Sequence, residues 1–104
     1  MSSFESLELD VMRWAEDRGI IQNGSPKTQM LKLASEIGEL ADAIAKDDHD
    51  KIADGIGDSM VVLAIIADMH CMTLKDCFAL AYNEIKDRRG YLNAAGVFVK
   101  QEGQ

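Results

Sequence analysis

Positive charge is scarce in this chain. Its 104 residues carry 11 lysines and arginines against 18 aspartates and glutamates, a formal net charge of −7. No basic stripe is present to displace counterions from a phosphate backbone, so no nucleic-acid partner is expected. A small phosphorylated ligand remains open, because a bound cation reverses the local sign. Long apolar runs are missing as well. The longest near-continuous one, Met60 to Ala67, is far too short to cross a bilayer, so no membrane is expected. The opening residues Met-Ser-Ser-Phe-Glu-Ser are acidic and lack the basic and apolar regions of a signal peptide. Cys71 and Cys77 fit neither a zinc motif nor a CxxC redox spacing, and reduced thiols in a cytoplasmic protein are expected. Neither His49 nor His70 stands in Glu-x-x-His spacing, which argues against a di-iron bundle. Pro26 is the single proline, and neither a repeat nor a low-complexity segment is evident.

What is there is helical periodicity. A first helix is expected from about Ser3 to Asp17, with Ser2 and Glu5 at capping-box spacing and Phe4, Leu7, Val11 and Ala15 as its apolar stripe. Gly19 ends it, and Gln22-Asn-Gly-Ser25 reads as a turn. In the second helix Ser25 caps, Pro26 takes the first position, and Met30, Leu33, Ile37, Leu40 and Ile44 form one face, running to about Lys46. Asp47 to Asp50 turn the chain into a third helix, to about His70. Thr73 and Asp76 open a fourth, to about Arg89. The apolar patch Val97-Phe-Val99 in the tail is either a strand or loose packing. The expected fold is all-α: one domain over residues 1–104, an antiparallel bundle of about four helices. A chain this short buries a modest core, and homo-oligomerisation is the expected remedy.

Two pairs of carboxylates carry the chemistry. Glu36 and Glu39 lie on the flank of the second helix; Asp54 and Asp58, four residues apart, share a face of the third. Beyond Asp58 the third helix is apolar on every side, through Met60, Val61, Leu63, Ile65 and Ile66, and should be buried all round. Carboxylates beside such a segment need a positive partner, and a hard divalent cation prefers their oxygens. Gly55 and Gly57 are costly in a helix unless a backbone or ligand approaches closely there. A break at Asp54-Gly55 is the alternative. Trp14, alone on its helix, is expected in the core or at an interface, and the six methionines in packing roles.

These residues, in this order, resemble the MazG-like family of all-α nucleoside triphosphate pyrophosphohydrolases, over roughly residues 25 to 90. The family's EExxE signature corresponds to Ser35-Glu36-Ile37-Gly38-Glu39, and its ExxD signature to Gly55-Ile56-Gly57-Asp58. Ser35 and Gly55 stand where the family has glutamates, which removes two of five acidic groups. The resemblance implies one or more Mg²⁺ ions, or Mn²⁺, held by Glu36, Glu39 and Asp58, with Asp54 as a substitute ligand. It implies phosphate contacts from Asn83, Lys86, Arg88 and Arg89. The implied reaction is attack of water on the α-phosphorus of a nucleoside triphosphate, releasing pyrophosphate and a monophosphate, in a homodimer or homotetramer. The alternatives are a catalytically weakened nucleotide-binding or regulatory protein of the same fold, and a structural helical oligomer.

Overall fold

The computed structural model describes residues 3–102. It is helical, with the element order α1 (Phe4–Asp17), α2 (Ile20–Asn23), α3 (Pro26–Ala45), α4 (His49–Met69), α5 (Leu74–Ile85), β1 (Gly90–Leu92) and β2 (Phe98–Lys100). The helix starts follow local chemistry. The Ser3 hydroxyl accepts from the Ser6 amide at 3.1 Å and caps α1. The expected cap, Ser2, lies outside the described residues. Ser25 caps α3 through the Thr28 amide, also at 3.1 Å, with Pro26 at the first helical position as expected. Asp48 caps α4 through the Lys51 amide, and Thr73 caps α5 through the Asp76 amide. Before α4, Asp47 takes φ +53°, so the chain reverses within three residues.

The long hairpin of α3 and α4 is the frame of the molecule, and α1 packs on α4. The small core lies on the inner side of α4, with Val62, Ala64, Ile65 and Ala67 buried together with Leu33 and Ala43 of α3 and Ala15 of α1. A buried acid joins the ends of the chain. The Glu8 carboxylate of α1 accepts from the Leu74 and Lys75 amides, the latter at 3.0 Å, and so satisfies donors at the start of α5.

Several expectations are corrected. The turn at Gln22 and Asn23 is a one-turn helix, α2. The helix α4 is continuous through Asp54-Gly55, without the alternative break. Within the single chain it is not buried all round: Ile56 and Leu63 are exposed, because α3, α1, α2 and α5 cover only part of its circumference. The fourth long helix, α5, ends at Ile85 rather than near Arg89. There the backbone leaves for an antiparallel hairpin in which Gly90 pairs with Lys100 and the Gln101 amide donates to the Arg89 carbonyl at 2.7 Å. A side chain at Gly90 would strike the Val99 carbonyl, so the close pairing needs glycine. The Asn93 side chain accepts from the Ala95 and Val97 amides, both at 3.0 Å, and Gly96 at φ +79° completes the loop. Phe98 and Val99 of the apolar tail patch thereby lie in a strand, with Val97 just before it. Among the described residues, no helix is long and apolar enough to cross a membrane.

Candidate active site

Two rows of charged side chains face each other across the α3–α4 hairpin. Glu39, Asp42 and Lys46 follow one another at three- and four-residue spacing on α3. Lys51, Asp54 and Asp58 do the same on α4, in the opposite chain direction. With Asp48 these rows line a cleft of about 270 Å³ that also includes Ala43 and Gly55. Helical spacing accounts for each row, since residues three and four apart lie one above another. The small residues account for the closeness of the rows. Ala43 is buried, and Gly55 lies directly against Leu40.

Three of the four expected metal ligands thus meet in one place: Glu39, Asp54 and Asp58. The undistorted α4 keeps Asp54 on the Asp58 face, so Asp54 reaches the cleft without occupying the position of Gly55. Glu36 stands apart from this lining. One of its oxygens pairs with Lys32 Nζ at 3.4 Å, and the other, Oε2, is buried without a hydrogen-bond partner. A buried carboxylate oxygen left unpaired is costly and suits an incoming cation. The donors are therefore right in kind for a hard divalent ion: carboxylate oxygens on two facing helices. They are not drawn into a closed set. Among the described residues, no three acidic, imidazole or thiol groups are close enough together to hold an ion.

The expected phosphate contacts lie elsewhere. Asn83 is in the last turns of α5, Lys86 caps that helix, and Arg88 and Arg89 belong to the link into the hairpin. None of the four lines the cleft of its own chain. The cleft instead has its own cations, Lys46 and Lys51, which motif reading passed over together with Asp42 and Asp48. A signal for them was present: the spacing 39-42-46 against 51-54-58 on either side of a tight turn puts these residues opposite one another. Trp14 is half exposed rather than in the core, with the Arg18 guanidinium 4.7 Å above its ring. Cys71 and Cys77 are free thiols.

The chain is 40% identical over 67 residues to an uncharacterized 18.2 kDa protein from the rep-hol intergenic region of Haemophilus phage HP1. The match takes in 64% of this chain and 41% of the phage protein, so the chain spans about two fifths of that relative. No solved structure matches. The family model of the MazG nucleotide pyrophosphohydrolase domain matches residues 24–92, which include α3, α4, α5 and both rows of the cleft. With two thirds of its length under that model and a helical fold over the matched residues, this chain belongs to the MazG nucleotide pyrophosphohydrolase domain family.

Proposed function

We infer that the protein is a Mg²⁺-dependent nucleoside triphosphate pyrophosphohydrolase that yields a nucleoside monophosphate and pyrophosphate. The observation that carries this reading is the meeting of Glu39 with Asp54 and Asp58 in one cleft of a MazG-family chain. Glu36, Glu39 and Asp58 would hold the ion, with Asp54 beside them, and Mn²⁺ is a second acceptable metal. When bound, a divalent ion neutralises phosphate charge and acidifies water, so that attack on phosphorus proceeds near neutral pH.

The chain's own residues supply the rest. The carboxylates on α3 and α4 fix the position of the triphosphate, since an anion approaches this acidic cleft only through shared cations. A carboxylate left unligated is placed to accept the proton of the attacking water. Lys86, Arg88 and Arg89 would bind phosphate oxygens, with Asn83 as a polar contact. The expected setting is cytoplasmic, where nucleoside triphosphates are made and used.

A second reading has one observation in its favour. Gly55 packs on Leu40, and among the described residues no three ligands are drawn together, which suits a protein that binds nucleotide without turning it over. Pyrophosphate release from a panel of ribo- and deoxynucleoside triphosphates, with Mg²⁺, Mn²⁺ or EDTA, separates the two. The hydrolase reading expects metal-dependent release that is lost in Asp58→Ala. Binding without release in any metal would support the second reading.

A further inference from the structure

The carboxylate cleft is not uniform along its length. Its two helices run antiparallel, and the contact of Gly55 with Leu40 sets the register of the two rows. Glu39 and Asp58 stand on the side of that contact away from the α3–α4 turn. Asp42 and Asp54 stand beside it on the turn side, and Lys46 and Lys51 lie a further turn of helix along. Seven residues separate Glu39 from Lys46, and seven separate Asp58 from Lys51. The ammonium tier is therefore about 10 Å along the helices from the Glu39–Asp58 tier. Asp48 also lines the turn end, but its carboxylate accepts from the Lys51 amide at 3.3 Å. All the positive charge of the cleft is thus at one end.

Neither lysine is committed to a strong partner. Lys46 Nζ is 3.7 Å from Asp42 Oδ2, with the two side chains 74% and 76% exposed. An ion pair so open to water is worth little. Lys51 enters no ion pair among the described residues. The position four residues further on, where a helical partner would stand, is Gly55. Lys32, beyond the opposite end of the rows, is already paired with Glu36 at 3.4 Å and is not part of the lining.

A nucleoside triphosphate has the same asymmetry. Its terminal phosphate carries more negative charge than the two inner ones. An ammonium group binds phosphate oxygens directly, whereas a carboxylate meets them only through a shared cation. We propose that Lys46 and Lys51 bind the terminal phosphates and so fix the direction of the substrate: the α-phosphate lies between Glu39 and Asp58, and pyrophosphate leaves toward the α3–α4 turn. In that arrangement the water oxygen bonds to the α-phosphorus. The bond from that phosphorus to the oxygen shared with the β-phosphate breaks, and its electron pair stays with the pyrophosphate. The water proton passes to a cleft carboxylate. The two ammonium groups meet the charge that the leaving pyrophosphate gains. They also select by phosphate number, since a diphosphate held at Glu39 and Asp58 falls short of their tier. The proposal rests on the hydrolase reading above, to which it adds the direction of the substrate and the residues that choose a triphosphate.

The test is product inhibition of the full chain in Mg²⁺, with Lys46→Gln and Lys51→Gln beside the wild type. Each change should weaken inhibition by pyrophosphate about tenfold, the worth of one charge-assisted hydrogen bond. The kcat/KM for the triphosphate should fall by a similar factor. Inhibition by the nucleoside monophosphate should stay unchanged, and affinity for the diphosphate should fall less than that for the triphosphate. Lys51→Arg should keep pyrophosphate inhibition near the wild-type level. Lys27→Gln, which removes the same charge from α3 outside the cleft, should change neither inhibition constant. Equal losses for pyrophosphate and monophosphate would reduce the lysines to general charge balance and overturn the proposal. Unchanged pyrophosphate inhibition in a folded Lys46→Gln/Lys51→Gln chain would overturn it as well. If the wild-type chain hydrolyses no nucleotide, the hydrolase reading fails, and calorimetric titration with pyrophosphate and Mg²⁺ decides the lysines. Binding that is lost in the double variant would support the phosphate subsite at the turn. Binding that is absent from the wild type, or equal in both chains, would exclude it.

Discussion

Gly55 of α4 lies against Leu40 of α3 so closely that a methyl group on it would stand 3.1 Å from Leu40 Cβ and 3.3 Å from its Cα. The contact holds α4 close against α3 beside the cleft, whose lining includes Gly55. It also explains why a glutamate cannot simply be placed at this position. A side chain there points into α3 and not into open space.

Gly55→Ala should therefore destabilise the chain by about 1–3 kcal/mol despite the better helix propensity of alanine, since the helices must separate to admit it. Gly55→Glu should cost more and should not raise activity. Gly57, with nothing within 4 Å of an added Cβ, gives the opposite sign. Gly57→Ala should stabilise by about 0.5–1 kcal/mol. Urea denaturation of the three variants checks both directions.

Asp58→Ala and Glu39→Ala should lower the rate of pyrophosphate release by more than about a hundredfold, as expected when a metal ligand is lost. Neither should destabilise the fold, because removal of one of several crowded carboxylates relieves repulsion. Assay of the purified variants beside their thermal unfolding tests the pair of statements. A loss of activity explained by unfolding would contradict them.

Glu8→Gln leaves an amide where a carboxylate now accepts from two backbone donors at the start of α5. The expected cost is about 1.5–3 kcal/mol, the range for hydrogen bonds to a charged group. The damage should be local. Hydrogen exchange at Leu74 and Lys75 should accelerate, while the α3–α4 hairpin stays protected.

Ser25→Ala removes the acceptor that caps α3 and should cost about 1 kcal/mol. Because Pro26 still fixes the first helical turn, the helix should keep its start. An unchanged denaturation midpoint would show that the cap is dispensable.

Much of the fold was legible because helices announce themselves locally. Ser25-Pro26 and Thr73 marked their starts within a residue, since capping is decided over three or four positions. The end of α5 was not legible in the same way. Lys86, Arg88 and Arg89 read as a basic last turn, and only the pairing of Gly90 with Lys100 shows why the helix stops at Ile85. That pairing joins residues ten apart, beyond any local signal.

The candidate site divides along the same line. Sequence alone determined the helix-forming segments, the acidic flank of α3, the Asp54–Asp58 face and the family to which they point. Only the tertiary structure decided that Glu39 meets Asp54 and Asp58, that Glu36 stands aside with Lys32, and that Gly55 is spent on packing against Leu40. It alone showed how much apolar surface α3, α4, α5 and the β1–β2 hairpin leave uncovered. Periodicity fixes which way a residue points around its own helix, but the rotation and crossing of two helices depend on side chains from both.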